Sequence, residues 1–173
     1  MSPLQIKSLI VDVPDFPKPG IVFKDITPVL ANPAALGAVV EQLAEHGARL
    51  RCDGVLAIES RGFIVGAPLA LKLGLPLHLV RKRGKLPRAA LTVRYELEYG
   101  FDHLELHTDA IRSGGRYLIV DDIIATGGTA AAVASIVAQQ NATVAACLFL
   151  IELEFLHGRD KLPGLEVVSL ITY

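Results

Sequence analysis

Tyr117-Leu118-Ile119-Val120-Asp121-Asp122-Ile123-Ile124-Ala125-Thr126-Gly127-Gly128-Thr129, running into Ala130-Ala131-Ala132-Val133, is the stretch that decides how this chain folds. The apolar run Tyr117–Val120 reads as a buried strand closed by two adjacent carboxylates. A small, hydroxylated, glycine-bearing turn follows. Then comes an alanine-rich helix continuing to about Gln140. Free N–H groups at a helix start favour an anion, and glycines let a phosphate approach the main chain. Asp121 and Asp122 would repel a bare phosphate. A bipolar ligand suits both ends, with a phosphate at one end and hydroxyls or a bound cation at the other. A phosphorylated sugar has that form.

Strand, glycine and helix occur together in many α/β proteins, and an Asp at a strand end is often only a helix cap. The whole string, hydrophobic-Asp-Asp-x-x-Ala-Thr-Gly-Gly-Thr, is more specific. It lacks the Gly-Lys-Ser/Thr ending of a P-loop and the G-x-G-x-x-G of a dinucleotide fold. It resembles the 5-phosphoribosyl pyrophosphate (PRPP) signature of the type I phosphoribosyltransferases.

Working outward, Asn32-Pro33 reads as a capped helix start running to about Gly47. Gly54–Ile58 reads as a strand, and Gly62 to Gly74 as a helix. Further strands are expected at Leu77–Val80, near 92–97 and 103–107, at Val144–Leu150 and at Val167–Ile171. Strands alternating with helices predict an α/β fold, a mostly parallel twisted sheet flanked by helices. Ligands of such sheets bind beyond the carboxyl ends of the strands. The region up to Leu30, punctuated by Pro14, Pro17, Pro19, Gly20 and Pro28, is expected to be extended and loop-like. We expect residues 1–173 to form a single domain, with about 1–30 making a small N-terminal hood.

The 173 residues are 51% hydrophobic and 20% charged with a net charge of −1, so nothing global points to nucleic acid or a membrane surface. No run is long enough to span a bilayer, and no signal-peptide pattern is visible at the start. Cys52 and Cys147 lack metal-ligand spacing and read as reduced, buried thiols of a cytoplasmic protein. His46, His78 and His157 read as surface or packing residues.

Four more segments carry chemistry. Glu59-Ser60-Arg61-Gly62 follows a strand and opens a helix, and the arginine offers a fork of donors for phosphate oxygens. By itself it needs no ligand, since Ser60 would cap the helix and Gly62 and Gly66 would let it pack closely. Beside a PRPP signature it suits the pyrophosphate end. Arg81-Lys82-Arg83-Gly84-Lys85 holds four cations in five residues. They are a solvated surface loop, or a pyrophosphate site and a lid that excludes water. Tyr95-Glu96-Leu97-Glu98-Tyr99-Gly100 alternates like a hairpin strand, with the tyrosines on one face and the glutamates on the other, where composition alone would leave them as surface carboxylates. Phe16-Pro17-Lys18-Pro19-Gly20-Ile21-Val22-Phe23-Lys24 is either an apolar hood whose Phe23 suits stacking on a flat base or a strapped-down arm that fills a groove.

Together these five segments resemble the adenine phosphoribosyltransferases over nearly the whole chain. The resemblance implies transfer of 5-phosphoribosyl from PRPP to adenine, giving AMP and pyrophosphate. It implies Mg2+ held mainly by PRPP, with Asp121 or Asp122 reaching it through water. Ala125, Thr126, Gly127, Gly128 and Thr129 would take the 5-phosphate, and Asp121 and Asp122 the ribose hydroxyls. Ser60, Arg61, Arg81, Lys82 and Lys85 would serve the pyrophosphate, with Arg61 and Lys85 stabilising it as it leaves. Val22, Phe23, Lys24 and Leu156 would hold the base, Glu98 would be the acid/base and Tyr99 would shape the lid. An unusual cis or strained peptide is implied at Glu59–Ser60. The family also implies a homodimer. Lys24 stands where many members have Arg, and Glu59 where some have Asp. Two rivals remain: transfer to a 6-oxopurine, and a non-catalytic PRPP-sensing regulator. The regulator is disfavoured because neither a strongly basic surface nor a nucleic-acid-binding extension is expected here.

Overall fold

The computed structural model describes residues 1–96 and 100–173. Among these, seven strands form one sheet in the order β5-β6-β4-β3-β7-β8-β9. The strands are β3 (Gly54–Ile58), β4 (Leu77–Lys82), β5 (Ala90–Glu96), β6 (Phe101–His107), β7 (Arg116–Ile124), β8 (Thr143–Glu152) and β9 (Val167–Thr172). β4, β3, β7, β8 and β9 run parallel. The hairpin β5–β6 joins antiparallel to the end of β4, with Arg81 opposite Glu105 and Lys82 opposite Leu104.

Helix α3 (Pro33–Gly47) begins as expected: the Asn32 side chain accepts from the N–H of Ala34 and Ala35, both at 3.1 Å. It packs with α4 (Gly62–Leu73) on one face of the sheet, over Val55, Leu118, Val120 and Leu148. Helix α5 (Gly128–Gln139) covers the other face, over Leu56, Ile58, Ile119, Cys147 and Phe149. The alternation Leu118, Ile119, Val120 sends successive side chains of β7 to opposite cores, as the pleat requires. Gly66 lets α4 approach the sheet: a Cβ there would stand 2.6 Å from the Cβ of Ala57.

Four expectations are corrected. The N-terminal region is not merely a loop. Ser2 caps a short helix α1 (Pro3–Lys7), and β1 (Val11–Pro14) pairs antiparallel with β2 (Val22–Asp25) as a separate two-stranded sheet before the single turn α2 (Thr27–Leu30). β7 runs on through Asp121 and Asp122, because β8 keeps pairing with it as far as Ile124. β4 likewise extends through Arg81 and Lys82, held by β6. Cys52 is half-buried rather than buried, and both cysteines are free thiols; burial pushes the Cys147 thiol up to about 12. Among the described residues no helix is long and apolar enough to cross a membrane.

Strand order reverses between β3 and β7. The connection through α4 carries the chain from β3 outward to β4, and the connection through α5 carries it from β7 the other way to β8. The loops after β3 and β7 therefore part at one crevice, where two helix N-termini open side by side.

Candidate functional site

A cleft of about 290 Å³ occupies that crevice, lined by Glu59 to Arg61, Asp121 to Ala130 and Phe149. Its floor is the end of β7, and its two ends are the starts of α4 and α5. Neither start carries a side-chain cap. At the start of α4 the N–H groups of Phe63 and Ile64 turn back to the Ser60 and Arg61 carbonyls, so the start of α5 is the better placed of the two to offer first-turn N–H groups to an anion.

The turn into α5 is shaped by close backbone contact. Gly127 has φ +74°, which glycine adopts without cost, and a Cβ there would overlap the Gly158 carbonyl oxygen. Gly158 in turn lies against the Ala125 carbonyl. It opens a short 3-10 segment, Gly158–Lys161, that follows the 3-10 turn Glu154–Leu156. That segment is fastened by a two-pronged contact, Arg159 Nε and Nη2 each 2.6 Å from a carboxylate oxygen of buried Glu152. No local motif marks Gly158, Glu152 or Arg159; their role comes from packing beneath the glycine turn. Thr126 is exposed and Thr129 half-buried at the mouth. The hydroxyl of Tyr95 faces Thr129 and Asp102, and Asp102 pairs with Lys82 at 3.2 Å.

At the start of α4 the peptide Glu59–Ser60 is cis, where the resemblance implied an unusual bond. Gly62 is required by space, since a Cβ would sit 2.8 Å from Asp121 Oδ1 and 2.9 Å from the Val120 carbonyl oxygen. Arg61 crosses the crevice. Its Nε donates to Asp122 Oδ2, and its guanidinium carbon lies 5.0 Å from the centre of the Phe23 ring. The Asp122 N–H donates to Asp121 Oδ1 at 2.8 Å. Burial, and then the neighbouring charge of Asp122, push the Asp121 carboxyl well above the usual carboxylate range, against the opposing pull of Arg61.

The basic segment has an internal counter-charge that spacing could not reveal. Glu59 accepts from Lys85 Nζ, from the Lys82 N–H at 2.9 Å, and from Arg81 Nε and Nη2 at 3.4 and 3.3 Å. Burial pushes the Glu59 carboxyl up, but these donors outweigh it and hold it at about 2. The Arg81 and Lys85 side chains thus converge on the residue next to Ser60 instead of forming a free solvated loop, while Lys82 lends Glu59 only its main chain and turns its ammonium to Asp102.

Phe23 stands on β2 with Phe16 edge-on to it, the rings 5.2 Å apart. Val22 is exposed beside it. Lys24, on the opposite face of β2, is the expected base-site residue whose side chain the structure turns elsewhere. Its ammonium lies 2.7 Å from Asp12 Oδ1 and 4.0 Å from the centre of the Tyr173 ring. The alternation of a strand that aims Phe23 one way compels this. Leu156 ends the 3-10 turn that precedes Gly158. Glu98 and Tyr99 lie outside the described residues. His78 packs edge-on against Tyr117, in keeping with a packing role. Among the described residues no group of three or more His, Cys, Asp or Glu could cage a metal ion. The donor set at the crevice, two carboxylates, fits a magnesium ion that takes most of its oxygens from a ligand and from water.

Residues 26–163 match the family described as the phosphoribosyl transferase domain. The chain is 54% identical over 170 residues to the adenine phosphoribosyltransferase of Carboxydothermus hydrogenoformans, covering 98% of this chain and 100% of the relative. The crystal structure of adenine phosphoribosyltransferase from Thermoanaerobacter pseudethanolicus superimposes with a TM-score of 0.97 at 49% identity, covering 99% of this chain and 100% of that one. The Saccharomyces cerevisiae adenine phosphoribosyltransferase, solved with an imino-altritol bisphosphate and adenine, superimposes with a TM-score of 0.91 at 40% identity and 97% coverage of both chains.

Proposed function

This chain belongs to the adenine phosphoribosyltransferases, and from that premise we infer that it transfers the 5-phosphoribosyl group of PRPP to adenine, giving AMP and pyrophosphate in purine salvage. The observation that carries the reading is the pairing of two uncapped helix starts across one crevice, with Asp121 and Asp122 between them. One start serves each anionic end of PRPP, and the carboxylates serve the sugar between.

In this reading the 5-phosphate rests on the backbone N–H groups of Ala125 to Thr129 and on the hydroxyls of Thr126 and Thr129. Asp121 and Asp122 accept from the ribose 2- and 3-hydroxyls. The pyrophosphate lies at Ser60 and Arg61, within reach of the cations gathered at Glu59. Adenine stacks on Phe23, with Leu156 as the opposite wall and the Val22 main chain reading its edge. As the C1–O bond to pyrophosphate breaks, the N9 lone pair forms the new bond to C1, and positive charge develops on the ribose ring. Catalysis then rests on placing N9 and stabilising the leaving group. Arg61 and Lys85 take up leaving-group charge, exchanging Asp122 and Glu59 for pyrophosphate oxygens. Glu98 accepts the purine proton, and Tyr99 shapes the lid that keeps water from the sugar. Mg2+, bound mainly by PRPP with Asp121 or Asp122 reaching it through water, would neutralise pyrophosphate charge. Lys24 contributes main chain, not side chain, to the base site.

We also propose that the chain forms one domain with residues 1–30 as a hood over the base, works in the cytoplasm and assembles as a homodimer. Ile64 and Leu71, two turns apart on α4, and Leu77 and Leu79 on β4 are exposed apolar residues suited to meeting a second copy. Sedimentation equilibrium at micromolar concentration tests the dimer. The reaction is tested by pyrophosphate release with PRPP and Mg2+, offering adenine, hypoxanthine, guanine and xanthine separately. Release with adenine alone is expected. Release with a 6-oxopurine alone overturns the base assignment, and PRPP binding without release for any base overturns the enzyme.

A further inference from the structure

Lys24 and Tyr173 form a contact that none of the roles above uses. The Lys24 side chain is only 10% exposed, and its ammonium lies between Asp12 at 2.7 Å and the Tyr173 ring at 4.0 Å. Asp12 is the cross-strand partner of Lys24, so the ion pair stiffens the β1–β2 ribbon. Lys7, from α1, places its own ammonium 4.1 Å from the same ring and donates to the Thr172 carbonyl. Two cations from separate elements of the N-terminal region thus converge on one aromatic ring of the main body. A ring face attracts cations through its quadrupole, and the attraction grows as water is excluded.

The main chain of Tyr173 is engaged with the segment that leads to Leu156. Its N–H donates to the Glu152 carbonyl, and its carbonyl accepts from the Glu154 N–H, each at 3.0 Å. Glu154 opens the 3-10 turn that ends at Leu156, and the Leu156 N–H closes that turn on Leu153 at 3.0 Å. One residue therefore touches both the β1–β2 ribbon that carries Phe23 and the turn that carries Leu156. Its ring holds the strand that carries Phe23, and its backbone holds the turn that carries Leu156.

We propose that Tyr173 is a positioning residue for adenine, and that its ring, gripped by Lys24 and Lys7, sets the separation of Phe23 from Leu156. This rests on the reading of Phe23 and Leu156 as the walls of the base site. The ring supplies the contact and the hydroxyl does not, so a phenylalanine keeps the device and an aliphatic residue loses it. A guanidinium at position 24 keeps it as well, since it too lies over a ring and pairs with Asp12.

The test compares Tyr173→Leu, Tyr173→Phe, Lys24→Met, Lys24→Arg and Phe23→Leu with the wild type. The readouts are KM for adenine, KM for PRPP, kcat and the thermal midpoint. Tyr173→Leu and Lys24→Met are expected to raise the adenine KM by about tenfold, the size of effect a slightly misplaced stack produces. PRPP KM should stay within about twofold, because these substitutions leave the Tyr173 backbone bond to Glu152 and the Arg159–Glu152 contact beneath the glycine turn in place. Tyr173→Phe and Lys24→Arg should both keep the wild-type adenine KM. Equal rises in both KM values, or failure of the two conservative variants to retain function, overturn the proposal and make the contact a general fastening. Phe23→Leu separates the levels of the argument. If it raises the adenine KM while Tyr173→Leu does not, the clamp fails and the base site stands; if it leaves adenine unaffected, the base-site reading fails and takes the clamp with it.

Discussion

Arg61 donates through Nε to Oδ2 of Asp122, joining the start of α4 to the end of β7 across the point where strand order reverses. The contact spans the proposed pyrophosphate and ribose subsites. It gives the arginine a fixed direction before substrate arrives, with the Phe23 ring beneath it. A charged hydrogen bond at a carboxylate only 5% exposed is worth more than its surface counterpart, and breaking it from one side leaves the other charge stranded.

Replacing Asp122 by Asn removes that charge and one acceptor for the sugar. PRPP KM should rise by on the order of tenfold or more, the range expected for a hydrogen bond to a charged group. Adenine KM should move far less. Initial-rate kinetics with each substrate varied in turn decides it; equal losses for both substrates contradict the ribose assignment.

Glu98→Gln should lower kcat by about a hundredfold, the lower end of general acid–base effects. PRPP affinity, read by calorimetry, should stay close to that of the wild type. A large loss of PRPP binding would make Glu98 a structural residue.

Glu59 carries a pH signature. Its carboxyl is held at about 2 against an ordinary value of 4.5, because Lys85, Lys82 and Arg81 favour the charged form despite burial. A depressed folded value means the unfolded chain binds the proton more readily. The stabilisation is therefore complete above pH 4.5 and is lost as pH falls toward 2. The thermal midpoint of Glu59→Gln should lie below that of the wild type at pH 6. The gap should narrow steadily between pH 4.5 and pH 2. A gap independent of pH would sink this account of the basic cluster.

Gly127→Ala places a Cβ on a residue with φ +74° and against the Gly158 carbonyl oxygen. Stability in urea should fall by about 2 kcal/mol or more, combining left-handed backbone strain with overlap that no flexible side chain can relieve. PRPP should raise the thermal midpoint of the wild type and leave that of Gly127→Ala unmoved. An unchanged urea midpoint would mean that the turn and the 3-10 segment do not pack as tightly as they stand.

Much of this was legible locally. The run Tyr117–Val120 followed by Asp121-Asp122 and Ala125–Thr129 declared a strand, a turn and a helix start, because apolar runs, glycines and hydroxyls act over a few residues. Asn32-Pro33 marked the start of α3 for the same reason, and Glu59–Gly62 marked the second helix start. Alternating strands and helices then implied a parallel sheet with its site at the carboxyl ends. The hidden features are those made by residues far apart in the chain. Glu59 as the anchor for Arg81, Lys82 and Lys85 depends on β3 and β4 lying side by side. Gly158 under Gly127 depends on where Arg159 fastens to Glu152.

By itself, then, the sequence determined the order of elements, the parallel sheet and the two glycine-bearing helix starts at its carboxyl edge, since period, capping and glycine placement are local physics. Tertiary structure alone decided that β4 continues through Arg81 and Lys82, because only β6 gives those residues partners. It alone turned Lys24 from the base site to Asp12 and Tyr173, because strand alternation aims neighbouring side chains in opposite directions and only the folded chain shows what each one meets.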